Sequence, residues 1–167
     1  MTVTVRPAGE ADVEAIRAVG LATWPATYEA VAGRDYVTQG LERWWSADAV
    51  RDSILRGGVF VGELDGVVVG MASVGERDGE PYLWKLYVLP DRHGIGAGSA
   101  LLAAVVDSLP AGSTRLGLDY VDGNDRAAAF YRARGFRMTG RTPSPLGVGP
   151  DEILMELALA GRPRRTP

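Results

Sequence analysis

At Gly57 the sequence changes period. Before it, apolar side chains recur at helical spacing; after it, they alternate. The stretch GGVFVGELDGVVVGMASV reads as two strands joined by a tight turn at Leu64-Asp65-Gly66, because Asp-Gly suits a two-residue hairpin that needs positive φ. GERDGE, residues 75–80, is a second polar turn. PYLWKLYVL follows as a third strand, with Tyr82, Trp84, Leu86 and Val88 predicted on one face. Three strands joined by such short connections form an antiparallel meander, and any fold must be built around it.

The rest of the chain supplies elements on both sides of that meander. Residues 2–6 alternate as a short strand, and GEADVEAIRAVG places Val13, Ile16 and Val19 at helical spacing. Residues 23–36 carry Trp24, Tyr28 and Tyr36, and Pro25 and Gly33 are predicted to break them. One helix is predicted over roughly residues 37–55, with Trp44 and Trp45 inside it. Another, carrying Leu101, Leu102, Val105 and Leu109, begins after Gly98 and stops at Pro110-Ala111-Gly112. Residues 115–121 alternate as a strand; Asn124 caps a helix over about 125–134, with Gly135 at its C-terminal end. Residues 136–141 and 152–159 are the last strands. The predicted order is β-αα-βββ-α-β-α-ββ. This is an α/β (α+β) fold with a mixed, mostly antiparallel central sheet of about seven strands, flanked by about four helices.

A chain of 167 residues is expected to form a single domain, here over residues 1–160, with GRPRRTP (161–167) as a flexible tail. There is no cysteine and one histidine, His93, which removes disulfides, thiolate metal sites and histidine clusters; no metal is expected. The net charge of −3 argues against a general nucleic-acid binder. Neither a basic-then-apolar leader nor a stretch approaching ~20 apolar residues is visible, so the expectation is a cytoplasmic protein without a membrane partner. Lys85 is the only lysine; the other 17 of the 18 basic residues are arginine, an imbalance read as coding bias.

Between the third strand and the next helix lies HGIGAGSALL, residues 93–102. Glycine gives up packing and backbone entropy, so Gly94, Gly96 and Gly98 in alternation need a reason. Bare backbone at a helix N-terminus presents N–H groups and a positive dipole end to an anion, usually phosphate. A tight strand-to-helix connection without a ligand is the alternative. A P-loop needs Gly-Lys-Ser/Thr, and no lysine stands here. A dinucleotide fingerprint needs a third glycine where Ser99 stands, and a βαβ unit where the sequence has a meander.

LYVLPDRHGIGAGSALL, residues 86–102, resembles the acyl-CoA-binding motif of the GNAT superfamily of N-acetyltransferases, which runs strand, Gln/Arg-x-x-Gly-x-Gly/Ala, helix. The match falls on His93, Gly94, Ile95, Gly96, Ala97 and Gly98, with His93 in place of the usual Gln or Arg. NDRAAAFYRARGF, residues 124–136, resembles the family's Asn-x-x-Ala-x-x-Phe-Tyr-x-x-x-Gly-Phe. The element order agrees over roughly residues 2–159.

The resemblance implies a central strand splayed from its neighbour, with the pantetheine of acetyl-CoA, the co-substrate, lying in the gap. The backbone of Leu86, Tyr87 and Val88 would bind pantetheine and the acetyl carbonyl, the N–H groups from Gly94 to Ser99 the pyrophosphate, and Asn124 to Ala127 the thiol end. An N–H of Val88 or a neighbour would stabilise the oxyanion. Tyr131 matches the family's proton donor to the departing thiolate; the alternative is a packing role. Glu80, near the start of the third strand, is the expected base, with Glu76 and Asp119 as alternatives. Trp24 and Tyr28 are candidate walls of the acceptor pocket. The LWKL of the third strand and the ending DEILMEL resemble the branch acting on polyamines and similar small amines; peptide N-termini and aminoglycosides stay open. The implied activity is acetyl transfer from acetyl-CoA to a primary amine of a small molecule or polypeptide, in a chain that could pair as a homodimer. A non-catalytic CoA-sensing or interaction domain of the same fold is the alternative.

Overall fold

The computed structural model describes residues 2–159, so the tail expected at 161–167 lies outside the described residues. Seven strands form one sheet: β1 (Thr4–Pro7), β2 (Val59–Leu64), β3 (Val67–Arg77), β4 (Glu80–Val88), β5 (Arg115–Val121), β6 (Arg137–Thr142) and β7 (Glu152–Ala158). Their spatial order is β1-β2-β3-β4-β5-β7-β6, antiparallel throughout except for the parallel pair β4/β5. The meander is as read, with tight turns at Asp65-Gly66 (φ 52° and 77°) and Asp78-Gly79 (φ 53° and 79°). Positive φ at both positions is what a two-residue hairpin requires.

Among the described residues there are five helices rather than about four: α1 (Val13–Ala32), α2 (Arg34–Trp44), α3 (Ala47–Arg56), α4 (Ala97–Ser108) and α5 (Asp125–Ala133). The helix expected over residues 37–55 is two, because Ser46 starts a new one, its Oγ accepting from the Ala49 N–H at 3.1 Å. The break expected at Pro25 does not occur; α1 runs through it and ends at Gly33 (φ 90°). An interior proline costs ~3 kcal/mol or more. Burying Trp24 and Tyr28, one turn apart on the inner face of α1, contributes roughly 4–6 kcal/mol each and outweighs it.

The sheet separates two apolar layers. On one face α4 and α5 bury Leu101, Val105, Leu116, Leu118, Phe136 and Met155. On the other, α1 to α3 bury Ile16, Val19, Trp24, Tyr28, Tyr36 and Trp45 against Val61, Met71 and Val121. Two glycines let these helices close: a Cβ on Gly20 would collide with the Trp45 indole, and one on Gly40 with that of Trp24.

The face expected for Tyr82, Trp84, Leu86 and Val88 is not shared. Ser73 of β3 faces Lys85 and Val74 faces Leu83, so Trp84 is an extra residue, a β-bulge. The bulge reverses the alternation. Leu83, Leu86 and Val88 pack toward α4, whereas Lys85 and Tyr87 point at α1 to α3, and Trp84 is 49% exposed. No described helix is long and apolar enough to cross a membrane.

Candidate active site

β4 and β5 share two register pairs, Tyr82 with Gly117 and Leu83 with Leu118. From Trp84 onward β4 has no partner on β5, and the strands splay into a slot of about 490 Å³. The slot is walled by β4 from Leu83 to Val88, the loop and first turn of α4, and the start of α5. Bulge and splay coincide, so the β4 backbone facing β5 is left without a sheet partner where the slot opens.

The three glycines at its mouth serve different ends. Gly94 and Gly96 have φ of 85° and 86°, and a Cβ on either meets nothing within 4 Å. The left-handed backbone favours glycine, and the space before it is open. Gly98 lies inside α4 and lines the slot, and a Cβ there would sit 3.1 Å from the Phe130 ring, so this glycine also lets α4 pack on α5. Ile95 is 38% exposed, whereas Ala97 is buried in the core. His93 reaches back to the Val88 carbonyl at 2.9 Å and lines the slot. The Ser99 hydroxyl accepts from Arg134 Nη2 at 2.6 Å, and Arg134 lies over the Phe130 ring. With Arg92 and Arg126 it gives the slot three arginines that were not singled out in the sequence.

At the end expected to hold the thiol, Asn124 caps α5, its Oδ1 accepting from the Ala127 N–H at 3.2 Å, and both line the slot. Tyr131 lies on the inner face of α5, buried between Phe130 and Phe136 at 5.3 Å ring separations, and also lines the slot. It both packs the core and faces the gap. Burial pushes its hydroxyl well above the ordinary tyrosine range, so it holds its proton firmly.

A second, larger cavity of about 1360 Å³ opens on the other side of β4. Trp24, Tyr28, Tyr36 and Trp44 line it, with Trp24 stacked on Tyr36 at 5.6 Å. The two cavities share Tyr28, Trp84, Lys85, Tyr87, Asp119 and Tyr120. A group held in the slot and a molecule held in the larger cavity meet at these residues. The Tyr28 and Tyr87 hydroxyls lie 3.0 Å apart there, and burial pushes Tyr28 up to about 12.

Asp119 is the sole carboxylate of that junction among the described residues. Tyr82 donates to its Oδ2 at 2.7 Å, and Arg77 Nη1 donates to the Tyr82 hydroxyl at 2.9 Å. Gly117 makes this approach feasible, since a Cβ there would sit 2.9 Å from the Tyr82 ring. Burial raises the Asp119 carboxyl; the Tyr82 hydrogen bond and the Arg77 charge oppose it. Glu152, opposite Val121 on β7, lines the larger cavity on the same sheet face. Burial, reinforced by the Asp119 charge, pushes it up to about 7.

Glu80, the base expected from sequence, stands apart from the junction. It begins β4, two residues before the paired segment, lines the larger cavity, and lies 3.5 Å from Arg115 with its side chain 46% exposed. The sequence offered a signal for Asp119 in Gly117, a glycine inside an alternating strand that marks a close approach. Glu152 carried none: its position depends on how β7 pairs with β5. Among the described residues no cluster of His, Cys, Asp and Glu could hold a metal ion.

Related proteins agree with this architecture. An uncharacterised N-acetyltransferase of Mycobacterium tuberculosis is 29% identical over 142 residues, 81% of this chain and 90% of the relative. A GCN5-related N-acetyltransferase from Rhodopseudomonas palustris superposes with a TM-score of 0.83 at 23% identity, covering 95% of this chain and 97% of that one. The PaiA N-acetyltransferase of Thermoplasma acidophilum, solved in complex with coenzyme A, superposes with a TM-score of 0.79 at 18% identity, covering 95% and 100%. The model of the acetyltransferase (GNAT) family matches residues 19–136, and the chain belongs to that family.

Proposed function

We propose that the protein transfers an acetyl group from acetyl-CoA to a primary amine held in the larger cavity. The observation that carries this reading is the junction: a slot open along an unpaired strand edge meets an aromatic cavity at one partly buried carboxylate, Asp119. The residues of the slot fit coenzyme A. Gly94 and Gly96 leave open space before left-handed backbone at the start of α4, suited to a diphosphate, and three arginines stand near it. Acetyl-CoA, when bound, supplies a thioester, an acyl carbon that an amine can attack.

The chain's own residues then have distinct tasks. The backbone of β4 from the bulge to Val88 orients the acyl arm, and its N–H groups stabilise negative charge developing on the carbonyl oxygen. Asp119 accepts the proton of the attacking amine, directly or through water, and its raised pKa makes it a better base than an ordinary aspartate. Glu152, poised near 7, is the next carboxylate on that face and holds the amine end of the acceptor. Tyr131 keeps its proton until the thiolate departs and then donates it. Trp24 and Tyr28 wall the acceptor. Glu80 stays at the rim in this reading, tied to Arg115, where it meets the far end of a long amine.

Measuring free-thiol release from acetyl-CoA against a panel of polyamines, amino acids, aminoglycosides and short peptides tests the reading. Turnover with at least one amine is expected. Tight acetyl-CoA binding with no turnover on any amine would favour a CoA-sensing domain.

A further inference from the structure

Lys85 is the chain's only lysine, so its Nζ is the only side-chain alkyl amine. The bulge in β4 turns it away from the α4 core and into the junction, where it lines both cavities. It approaches from the α1–α3 side. Nζ donates to the Trp44 carbonyl at 2.6 Å and lies 4.0 Å from the centre of the Trp45 ring.

Lys85 is partly buried, and its amine lacks the partner that a lysine drawn into the fold normally has. No described carboxylate forms an ion pair with it, and the nearby charge that acts on it, Arg56, is of the same sign. Asp119 shares the junction but is engaged by Tyr82. A buried ammonium without a counter-charge is costly, and loss of a proton relieves that cost. The Trp45 ring favours the charged form. Burial, with Arg56, outweighs it and brings Lys85 down to about 8. At pH 7 about a tenth is therefore the free amine, rising to about half at pH 8, with one N–H held by Trp44 and a lone pair available.

We propose that Lys85 is itself an acyl acceptor: with no amine in the larger cavity, the protein acetylates its own Lys85 from acetyl-CoA bound in the slot. The proposal rests on the slot holding acetyl-CoA, as inferred above. The Lys85 nitrogen attacks the thioester carbonyl carbon; a C–N bond forms and the C–S bond breaks. The nitrogen's surplus proton passes through water to Asp119, the departing thiolate takes a proton from Tyr131, and both groups re-equilibrate with solvent. The products are Nε-acetyl-lysine and free coenzyme A, with no further reactant. The acetylated side chain fills the junction, so modification switches off transfer to external amines.

The test is intact-mass and peptide mapping of the full-length protein incubated with acetyl-CoA alone. The expected result is close to one acetyl group per chain, on the peptide containing Lys85, forming faster as pH rises toward 8. It should be slowed by an amine that the protein turns over, absent in Lys85→Arg, and at least tenfold slower in Tyr131→Phe. A Lys85→Gln variant should resemble the modified protein, binding acetyl-CoA by calorimetry but turning over external amines poorly. If the protein binds acetyl-CoA and acetylates an external amine while Lys85 stays unmodified, the proposal is overturned and the acetyltransferase reading stands. Labelling at the same rate in urea-unfolded protein or in Tyr131→Phe would make it plain chemical acetylation and overturn the proposal equally. If acetyl-CoA does not bind, both readings fall.

Discussion

The slot and the larger cavity meet at six residues, yet they are built from different materials. The slot is framed by backbone: an unpaired strand edge, a left-handed glycine turn and the start of a helix. The larger cavity draws its walls from α1, α2, α3, β3, β4, β5 and β7, with an aromatic cluster of side chains at its centre. Backbone sites recognise what every acyl-CoA shares; side-chain sites discriminate among acceptors. Such a fold can keep the first while changing the second, which is why a family match assigns the chemistry and leaves the acceptor to be found by experiment.

Substitutions on each side should separate these roles. The largest effect is expected from Asp119→Asn at the junction. The Tyr82 hydrogen bond survives the change, so kcat/KM should fall by roughly 10²- to 10⁴-fold while calorimetric acetyl-CoA affinity stays within about threefold. Equal losses in affinity and rate would show that the junction belongs to the slot alone.

Tyr131→Phe should lower kcat by about 10²-fold, at the low end for a general acid because thiolate is already a fair leaving group. The ring stays between Phe130 and Phe136, so thermal melting should barely move. A kcat within twofold of the parent would leave Tyr131 a packing residue.

On the slot side, Gly96→Asn puts a side chain into the open space at a residue type that tolerates positive φ. Acetyl-CoA affinity should drop tenfold or more, read by calorimetry, with the fold kept. Gly96→Val blocks the same space but adds about 1–3 kcal/mol of backbone strain at φ 86°. Gly98→Ala presses only on Phe130 and should change affinity little, despite its place in the same motif. Unchanged binding in Gly96→Asn would show that the glycine turn cradles no phosphate.

The smallest effect concerns Glu152. Its folded pKa of about 7 exceeds the ordinary value of 4.5, so the folded state holds this proton more tightly than the unfolded chain. Stability is therefore unaffected below about 4.5 and is lost as pH rises from there to about 7. Partial solvent contact screens the loss to about 1 kcal/mol. Glu152→Gln should raise Tm by about 2–4 °C at pH 8 and leave it unchanged at pH 4, followed by thermal denaturation.

The contrast between the two regions also explains what the sequence made legible. Asp-Gly turns, alternating strands, the glycine turn and the capped helix at Asn124 are local, and each appears where it was expected. Three readings were overruled, two by distant contacts and one by a local cap. Burial of Trp24 and Tyr28 carries α1 through Pro25. Ser46 divides a helical pattern whose apolar spacing alone looks continuous. The bulge at Trp84 shifts the phase of β4 without any glycine or proline to announce it. The same shift sends Lys85 into the junction. Glu80 is the expected base by its place near the start of β4, with Glu76 and Asp119 as alternatives; of these three, it is Asp119 that the β4/β5 pairing over Gly117 brings to the junction.

The seam between β4 and β5 has a mechanical consequence. Strands β1 to β4 and strands β5, β7 and β6 are stitched together by two register pairs, while longer ladders hold each half. Across that seam, Ala72 and Leu83 share one apolar layer with Leu116, Leu118 and Met155. Heating weakens this layer throughout and should melt both halves in one transition. A pulling force applied across the strands loads the two-pair seam first, so the same molecule should be cooperative to heat and divisible under tension.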